Sequence, residues 1–355
     1  MEIILALVLA VALTLVLTPF VRQLAIRLKA MDAPDKRKVH IVAMPRMGGL
    51  AIFISFWLTV VITQPLTKEL YSFLFGSLLI IISGIWDDMK GVKPIIKIFF
   101  QLAAAGSIIV FGGIKVSFIT TLFGQSPQAL GIFSVPITVL WIIGMTNAIN
   151  LVDGLDGLAA GISGIAAISI GVISWIEGMG AISILPLILG TSTLAFLKYN
   201  FHPAKIFMGD TGALFLGFSL SVLSIMGLTK MATTVSLLLP IVVLGVPIMD
   251  TLFAIVRRFL NKKPIFAADK DHLHHRLLEM GLSHTKAVLV VYGVCLFLSF
   301  SAIIMAMLTT ERAMLVMVVV AVIVIYGADR LGILGRKAKS VLTRQSQGRP
   351  VDKQV

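Results

Sequence analysis

The sequence predicts an all-α, polytopic integral membrane protein of about 11 transmembrane helices, N-terminus outside and C-terminus in the cytoplasm. Three observations predict it. Of 355 residues, 58% are hydrophobic and only 13% charged, with a mean hydropathy of +1.01, well outside the range of soluble domains. The apolar residues fall into runs close to the roughly 20 residues that cross a bilayer as a helix. All but four of the 30 Lys and Arg, the exceptions being Lys68, Lys115, Lys230 and Arg312, lie in alternate loops, as expected where positive charge stays in the cytoplasm.

The first run, near 3–25, carries Glu2 and no early Lys or Arg, so it reads as a retained helix rather than a cleaved signal peptide. Runs follow near 47–64, 70–86, 95–112, 132–149, 157–175, 180–197 and 211–228. The ninth, near 233–256, contains Pro240, Pro247 and Asp250. A break is expected there, because proline removes a backbone donor. Runs near 286–308 and 312–329 complete the set, and the polar, basic tail 331–355 is expected to be disordered and cytoplasmic. Residues 1–330 read as a single transmembrane domain whose polar chemistry lies in the loops 26–46, 87–97, 150–156, 198–210 and 257–286.

The formal net charge of +13 follows from this topology and gives no reason to invoke nucleic acid. A single cysteine, Cys295, inside an apolar run, excludes an intramolecular disulfide and a cysteine-based metal cluster. Nearly all Asp and His also fall on the predicted cytoplasmic side, although the positive-inside rule does not require it. Loops far apart in sequence that gather carboxylates and imidazoles on one face point to one active site.

Five strings carry that chemistry. In "WDDMKGVKPIIKIFFQ", Asp87 and Asp88 repel each other, and Mg²⁺ with nearby Lys would compensate. In "TNAINLVDGLDGLAAG", Asn150, Asp153 and Asp156 recur every three residues, while Gly154 and Gly157 favour irregular backbone that a ligand can approach closely. In "NFHPAKIFMGDTGALFLG", Asp210 stands at a helix entry. It is either an N-cap or a metal ligand beside an anion-binding helix end, and Phe207 offers a ring for stacking. In "ADKDHLHHRLLEMGLSH", His272, His274, His275 and Arg276 crowd together. Their spacing is not that of a helical zinc site, and contacts to a phosphosugar suit them better. In "APDKRKVHIVAMPRMGG", a basic run precedes Arg46, Gly48 and Gly49.

Together, "RKVHIVAMPRMGG", "DDMKG", "NAINLVDGLDGLAAG", "FMGDTG" and "DHLHHR" resemble the motifs of the polyprenyl-phosphate N-acetylhexosamine-1-phosphate transferases, in the family's order. The likeness is greatest to the bacterial branch using GlcNAc-1-phosphate and undecaprenyl phosphate, which includes the enzymes that begin wall teichoic acid linkage units. The phospho-MurNAc-pentapeptide transferase branch differs in its histidine motif and in the spacing before its Pro-x-Met-Gly-Gly.

The resemblance implies transfer of GlcNAc-1-phosphate from UDP-GlcNAc to undecaprenyl phosphate, releasing UMP, with Mg²⁺ as cofactor and Mn²⁺ as a substitute. It also implies a bacterial cell-membrane location, a site facing the cytoplasm, and a homodimer. Mg²⁺ would sit on Asp210 and Asn150, Lys97 would contact phosphate, and Phe207 and Asp156 would hold the uracil. His272, His274, His275, Arg276 and Arg46 would bind the substrate. Asp87, Asp88, Asp153 and Asp210 are the catalytic candidates, the Asp pair favoured for electrostatic positioning over an obligate base. Two alternatives remain open: another UDP-N-acetylhexosamine as donor, or a transporter. Asp250 is the residue best suited to transport, although a structural role for it at the proline-disturbed ninth run is favoured.

Overall fold

A computed structural model describes residues 2–32, 43–119, 128–228, 238–260, 262 and 272–330. The tail 331–355, and with it the expected disorder, lies outside the described residues. The protein is mostly helical and a membrane protein: eight of its described helices are long and apolar enough to cross a membrane.

Every apolar run of the sequence carries helix. They are α1 (Glu2–Arg27), α2 (Gly49–Thr63), α3 (Lys68–Lys90), α4 (Pro94–Val110), α5 (Ser134–Val152), α6 (Leu158–Ile176), α7 (Gly180–Asn200) and α8 (Gly209–Leu228). The ninth run is broken, as its prolines suggest, into α9 (Leu238–Val243) and α10 (Gly245–Leu260). A helix the hydropathy pattern does not reveal, α11 (Leu273–Glu279), precedes α12 (His284–Ala306) and α13 (Thr310–Arg330). Of the 11 expected spans, those at α2 and α4 are shorter apolar helices, and eight meet the length and composition of a span.

Three of the expected loops, 87–97, 150–156 and 198–210, are shorter than their sequence bounds. Asp87 and Asp88 lie within α3, Lys97 within α4, Asn150 within α5 and Asp210 within α8. Helices run on past the apolar residues because a backbone amide or carbonyl is better paired in the next turn than left open. Charged side chains at a helix end do not prevent this.

α8 is the axis of the bundle. Ala213, Leu214, Phe215, Leu216 and Phe218 are all buried, and the helix packs against α2, α3, α5, α6 and α7. Phe53 and Phe56 meet Phe215 and Phe73 meets Phe218 in edge-on and tilted aromatic contacts, with Trp57 edge-on to Phe56 and Phe73 behind them. By contrast, α1 and α13 leave Leu5, Val8, Leu315 and Val322 exposed, as lipid permits. Several hydroxyls inside the helices are paired locally. Thr14, Thr18, Ser55, Thr59 and Thr146 each donate to the carbonyl four residues back. Gln101 and Asn147 join α4 to α5, Asn147 Nδ2 donating to Gln101 Oε1 at 2.8 Å.

Two glycines set how closely α8 is approached. A Cβ on Gly49 would overlap the backbone of Gly212, and one on Gly84 the backbone of Thr211. Small residues let membrane helices approach this far. Through these crossings the first turn of α8 meets the start of α2 and the last turns of α3.

Gly84→Val should therefore force α3 from α8, with a loss of roughly 1–3 kcal/mol or more. A thermal melt in detergent should show a clear fall in Tm, and an unchanged Tm would refute the tight crossing.

Candidate functional site at the helix ends

The centre of the site is a carboxylate inside the protein. The Asp88 side chain has no exposed surface. Its Oδ1 accepts the Asp210 amide at 3.0 Å, and its Oδ2 accepts the Thr211 amide at 3.0 Å and the Thr211 hydroxyl at 2.6 Å. These are first-turn amides of α8, which its own helix cannot satisfy. Asp88 thus caps α8 from α3, 122 residues away in sequence. Asp210 is not the N-cap, since it sits inside the helix with its own amide capped by Asp88. A negative charge at this end also complements the helix dipole.

Two cations offset part of this negative charge. Arg46 Nε lies 3.3 Å from Asp88 Oδ1, its Nη2 3.6 Å from Asp210 Oδ1 and its Nη1 3.4 Å from Asp32 Oδ1. Burial acts to lower the Arg46 pKa, but Asp88, Asp32 and Asp210 outweigh it and leave it raised. Lys97 Nζ bridges Asp210 Oδ2 at 2.5 Å and Asp87 Oδ1 at 2.9 Å. Asp87 Oδ1 also accepts the Val92 amide at 2.8 Å, which fixes the short link from α3 to α4.

A ligand atom from each of Asp87, Asp88 and Asp210 lies within 4.8 Å of the others. Hard oxygens suit Mg²⁺, so Asp87 and Asp210 fit that ion, with Asp88 committed to α8 and Lys97 and Arg46 as the cations already among them. Asn150 is half-buried in the last turn of α5, and no side-chain contact joins it to Asp210 among the described residues.

The chain strapping Arg46 to this cluster is backbone. Phe207 N donates to Pro45 O at 2.9 Å, Gly48 N to Phe207 O at 2.9 Å and Gly49 N to Met208 O at 3.0 Å. The entry to α2 is thereby tied to the entry to α8.

Beside it opens a cavity of about 360 Å³, whose lining includes Arg46, Asp153, Asp156, Asn200, His202 and Phe207. Its volume is within the range of small-molecule sites. The α5–α6 turn forms one wall, and its backbone is irregular, as the glycines imply. Gly157 takes a φ of +78°, a conformation glycine adopts freely. Both its peptide groups are held by side chains: its amide donates to Asn200 Oδ1 at 3.1 Å, and its carbonyl accepts the Tyr292 hydroxyl at 2.5 Å. Asn200 Nδ2 further donates to Ile206 O at 3.0 Å. Asp156 Oδ2 meets His202 Nδ1 at 2.9 Å and accepts the Ala204 amide at 3.2 Å. The His202 ring stacks on His284 at 4.2 Å.

Asp153 ends α5. Burial, with the negative charge of Asp210 beyond it, pushes its carboxyl from 3.8 up to about 7, against the opposing pull of Arg46.

The histidine string lies partly elsewhere. His272 is buried against Asp250, Nδ1 to Oδ2 at 2.8 Å. His274 is buried with its imidazole against Gly154, and burial with neighbouring His275 lowers its pKa to about 3, so it is neutral. His275 and Arg276 are half-buried on the same short helix, α11. Asp35 and His40, in the first basic loop, and Asp269 and Asp271, before the histidines, lie outside the described residues.

Sequence inspection did not single out Thr211, Asn200 or Tyr292. Thr211 and Asn200 stand in "NFHPAKIFMGDTGALFLG", but they pair across 123 and 43 residues, which leaves no local signal.

An apolar helical bundle that gathers carboxylates, basic side chains and a cavity at one end defines an integral membrane protein with a site suited to anionic, metal-associated ligands. The chain belongs to glycosyl transferase family 4, whose model matches residues 70–228. That match includes Asp87, Asp88, Lys97, Asn150, Asp153, Asp156, Phe207 and Asp210, and leaves out Arg46 and α11. The chain is 45% identical over 339 residues, 95% of its length and 94% of the relative's, to the probable undecaprenyl-phosphate N-acetylglucosaminyl 1-phosphate transferase of Bacillus subtilis. It is 34% identical, over 89% of its length and 86% of the relative's, to the decaprenyl-phosphate N-acetylglucosaminephosphotransferase of Mycolicibacterium smegmatis. To the undecaprenyl-phosphate alpha-N-acetylglucosaminyl 1-phosphate transferase of Escherichia coli K12 it is 25% identical, covering 77% and 75% of the two chains.

The raised carboxyl of Asp153 predicts a pH-dependent cost. Between pH 3.8 and about 7 the unfolded chain ionises this group while the folded protein keeps it protonated, so stability falls as pH rises through that window. Asp153→Asn should remove the cost. Its gain in Tm over the wild type should grow from pH 4 to pH 7, reach a few degrees, and level off above. A gain independent of pH would contradict the assignment.

Proposed function

We propose that the protein transfers GlcNAc-1-phosphate from UDP-GlcNAc to undecaprenyl phosphate, giving undecaprenyl-diphospho-GlcNAc and UMP, at the cytoplasmic face of a bacterial cell membrane. The observation that carries this is the triad Asp87, Asp88 and Asp210 braced by Lys97 and Arg46 beside a cavity. The names of the relatives that match nearly the whole chain support the donor and the lipid. The asymmetry of Lys and Arg in the sequence supports the orientation, with the site on the basic side. The product's place is the first membrane step of a cell-wall polymer.

In the reaction an oxygen of the lipid phosphate bonds to the β-phosphorus of UDP-GlcNAc. The bond from that phosphorus to the bridging oxygen breaks, and UMP leaves with the electron pair. A phosphate monoester is already largely ionised at neutral pH, so no residue need act as an obligate base. The chain's task is to hold two anions in line and offset their charge. Mg²⁺ bound at the carboxylates would supply Lewis-acid stabilisation of the phosphate oxygens.

Lys97 and Arg46 supply fixed positive charge, and each is held in place by two or more carboxylates. Asp87 and Asp210 aim Lys97. Asp88, spent on the α8 amides, is a positioning residue that sets Asp210 and Arg46. Phe207 and Asp156, in the cavity wall, would receive the uracil. Asp156 is suited to this because, among the described residues, both of its side-chain hydrogen bonds use Oδ2, and Oδ1 would accept a nucleobase N–H. His275 and Arg276 of α11 would bind the sugar phosphate.

Purified protein in detergent should release UMP from UDP-GlcNAc only with undecaprenyl phosphate and Mg²⁺, and Mn²⁺ should substitute. A panel of UDP-sugars tests the donor, and preference for another UDP-N-acetylhexosamine would correct it. Asp210→Asn should lower kcat by about 10²-fold or more, as loss of a positioned charge does; full activity would remove Asp210 from the metal site. Asp87→Asn should lower kcat far more than it raises KM for UDP-GlcNAc. An equal loss of nucleotide affinity would make Asp87 a donor ligand instead.

A further inference from the structure

Asp250 stands in "GVPIMDTLFAIV", an apolar stretch where a carboxylate is costly unless it is used. The mechanism above makes no use of it. Its side chain is 4% exposed, yet both oxygens are engaged by one neighbouring segment. Oδ2 meets His272 Nδ1 at 2.8 Å, and Oδ1 accepts the Leu273 amide at 2.9 Å. His272 is the residue before α11 and makes no side-chain cap bond of its own. Leu273 is the first residue of that helix. Asp250, on α10, therefore supplies the cap that α11 lacks and clamps the adjacent imidazole with the same carboxylate.

This anchor sets where the rest of α11 falls. The His272 and His274 rings lie parallel, 5.8 Å apart, and His275 is 4.2 Å from His274. A Cβ on Gly154 would overlap the His274 imidazole, so the helix is seated directly on the turn that carries Asp153 and Asp156. A seven-residue helix cannot hold itself in place; it is held at one end by Asp250 and along one face by Gly154. The bond to Asp250 also commits Nδ1 of His272 and leaves Nε2 as the ring nitrogen through which this residue can meet a ligand.

We propose that Asp250 is a positioning residue for donor binding. By clamping His272 and capping α11, it fixes the histidine–arginine segment against the cavity, and its loss weakens capture of the UDP-sugar rather than the chemical step. The inference rests on the donor-binding role of α11 given above.

The test uses full-length protein and the variants Asp250→Asn, Asp250→Ala, His272→Ala and the double variant Asp250→Asn with His272→Ala. Asp250→Asn keeps an oxygen for the Leu273 amide but loses the charge facing His272. It should raise KM for UDP-GlcNAc about tenfold, change kcat less than threefold, and leave Tm within a few degrees of wild type. His272→Ala should do the same. Because both act through one contact, the double variant should be no worse than either alone. Hydrogen exchange at the amides of residues 273–279, read by mass spectrometry, should quicken in Asp250→Ala, and this readout needs no activity.

Additive losses in the double variant, or a wild-type KM in both Asp250 variants, would overturn the proposal. A large drop in Tm with unchanged KM would do so too, since it marks a purely structural bond. Turnover absent in the wild type would instead defeat the proposed reaction. Quickened exchange confined to 273–279 would then establish only the clamp, and the donor-binding inference would fall with that reaction.

Discussion

The structure depends on one carboxylate that faces inward. Asp88 satisfies the first amides of α8 and the hydroxyl of Thr211, and it draws Arg46 to the same point. A helix at the centre of an apolar bundle must have its first amides paired, because neither lipid nor packed side chains can accept them. Supplying that acceptor from α3 ties two helices far apart in sequence and fixes the register between them. It also sets Asp210 one residue into the helix, beside Lys97. Stability and site geometry thus share one interaction.

The close crossings at Gly49 and Gly84 are its precondition. Any larger side chain at either position would meet the backbone of α8 and hold Asp88 and Arg46 away from the helix end. A buried carboxylate robbed of its partners is far more costly than one never placed there. The glycines and the aspartate therefore act as one unit, small residues making the approach and the charge rewarding it.

Charge compensation explains why basic residues intrude into an acidic site. Three carboxylates with a ligand atom each within 4.8 Å cannot all ionise without cations nearby. Lys97 and Arg46 meet part of that need within the protein, each spanning two or more acids. The same arrangement suits the approach of phosphate, because Lys97 and Arg46 hold positive charge at fixed positions among the acids. Asp153, further into the wall, has no such ion-pair partner among the described residues, and burial raises its pKa to about 7.

The sequence by itself determined that the chain is a helical membrane protein, where its apolar runs lie, and which strings carry polar chemistry. Those properties are local: hydropathy over about 20 residues reports a span, and an Asp or His beside such a run is conspicuous because burial is costly. The break in the ninth run was equally legible, since proline acts on its own helix. Only the tertiary structure decided which carboxylate does what. Asp87 and Asp88 are adjacent and chemically identical, yet one faces Lys97 and the other caps α8, because successive residues on a helix point about 100° apart. The part played by Asp250 was likewise undecided, since its partner stands 22 residues on. The bonds from Asn200 to Gly157, from Tyr292 to Gly157 and from Phe207 to Pro45 also span long stretches of chain. Each is set by how helix ends meet in space, which no local pattern of residues encodes.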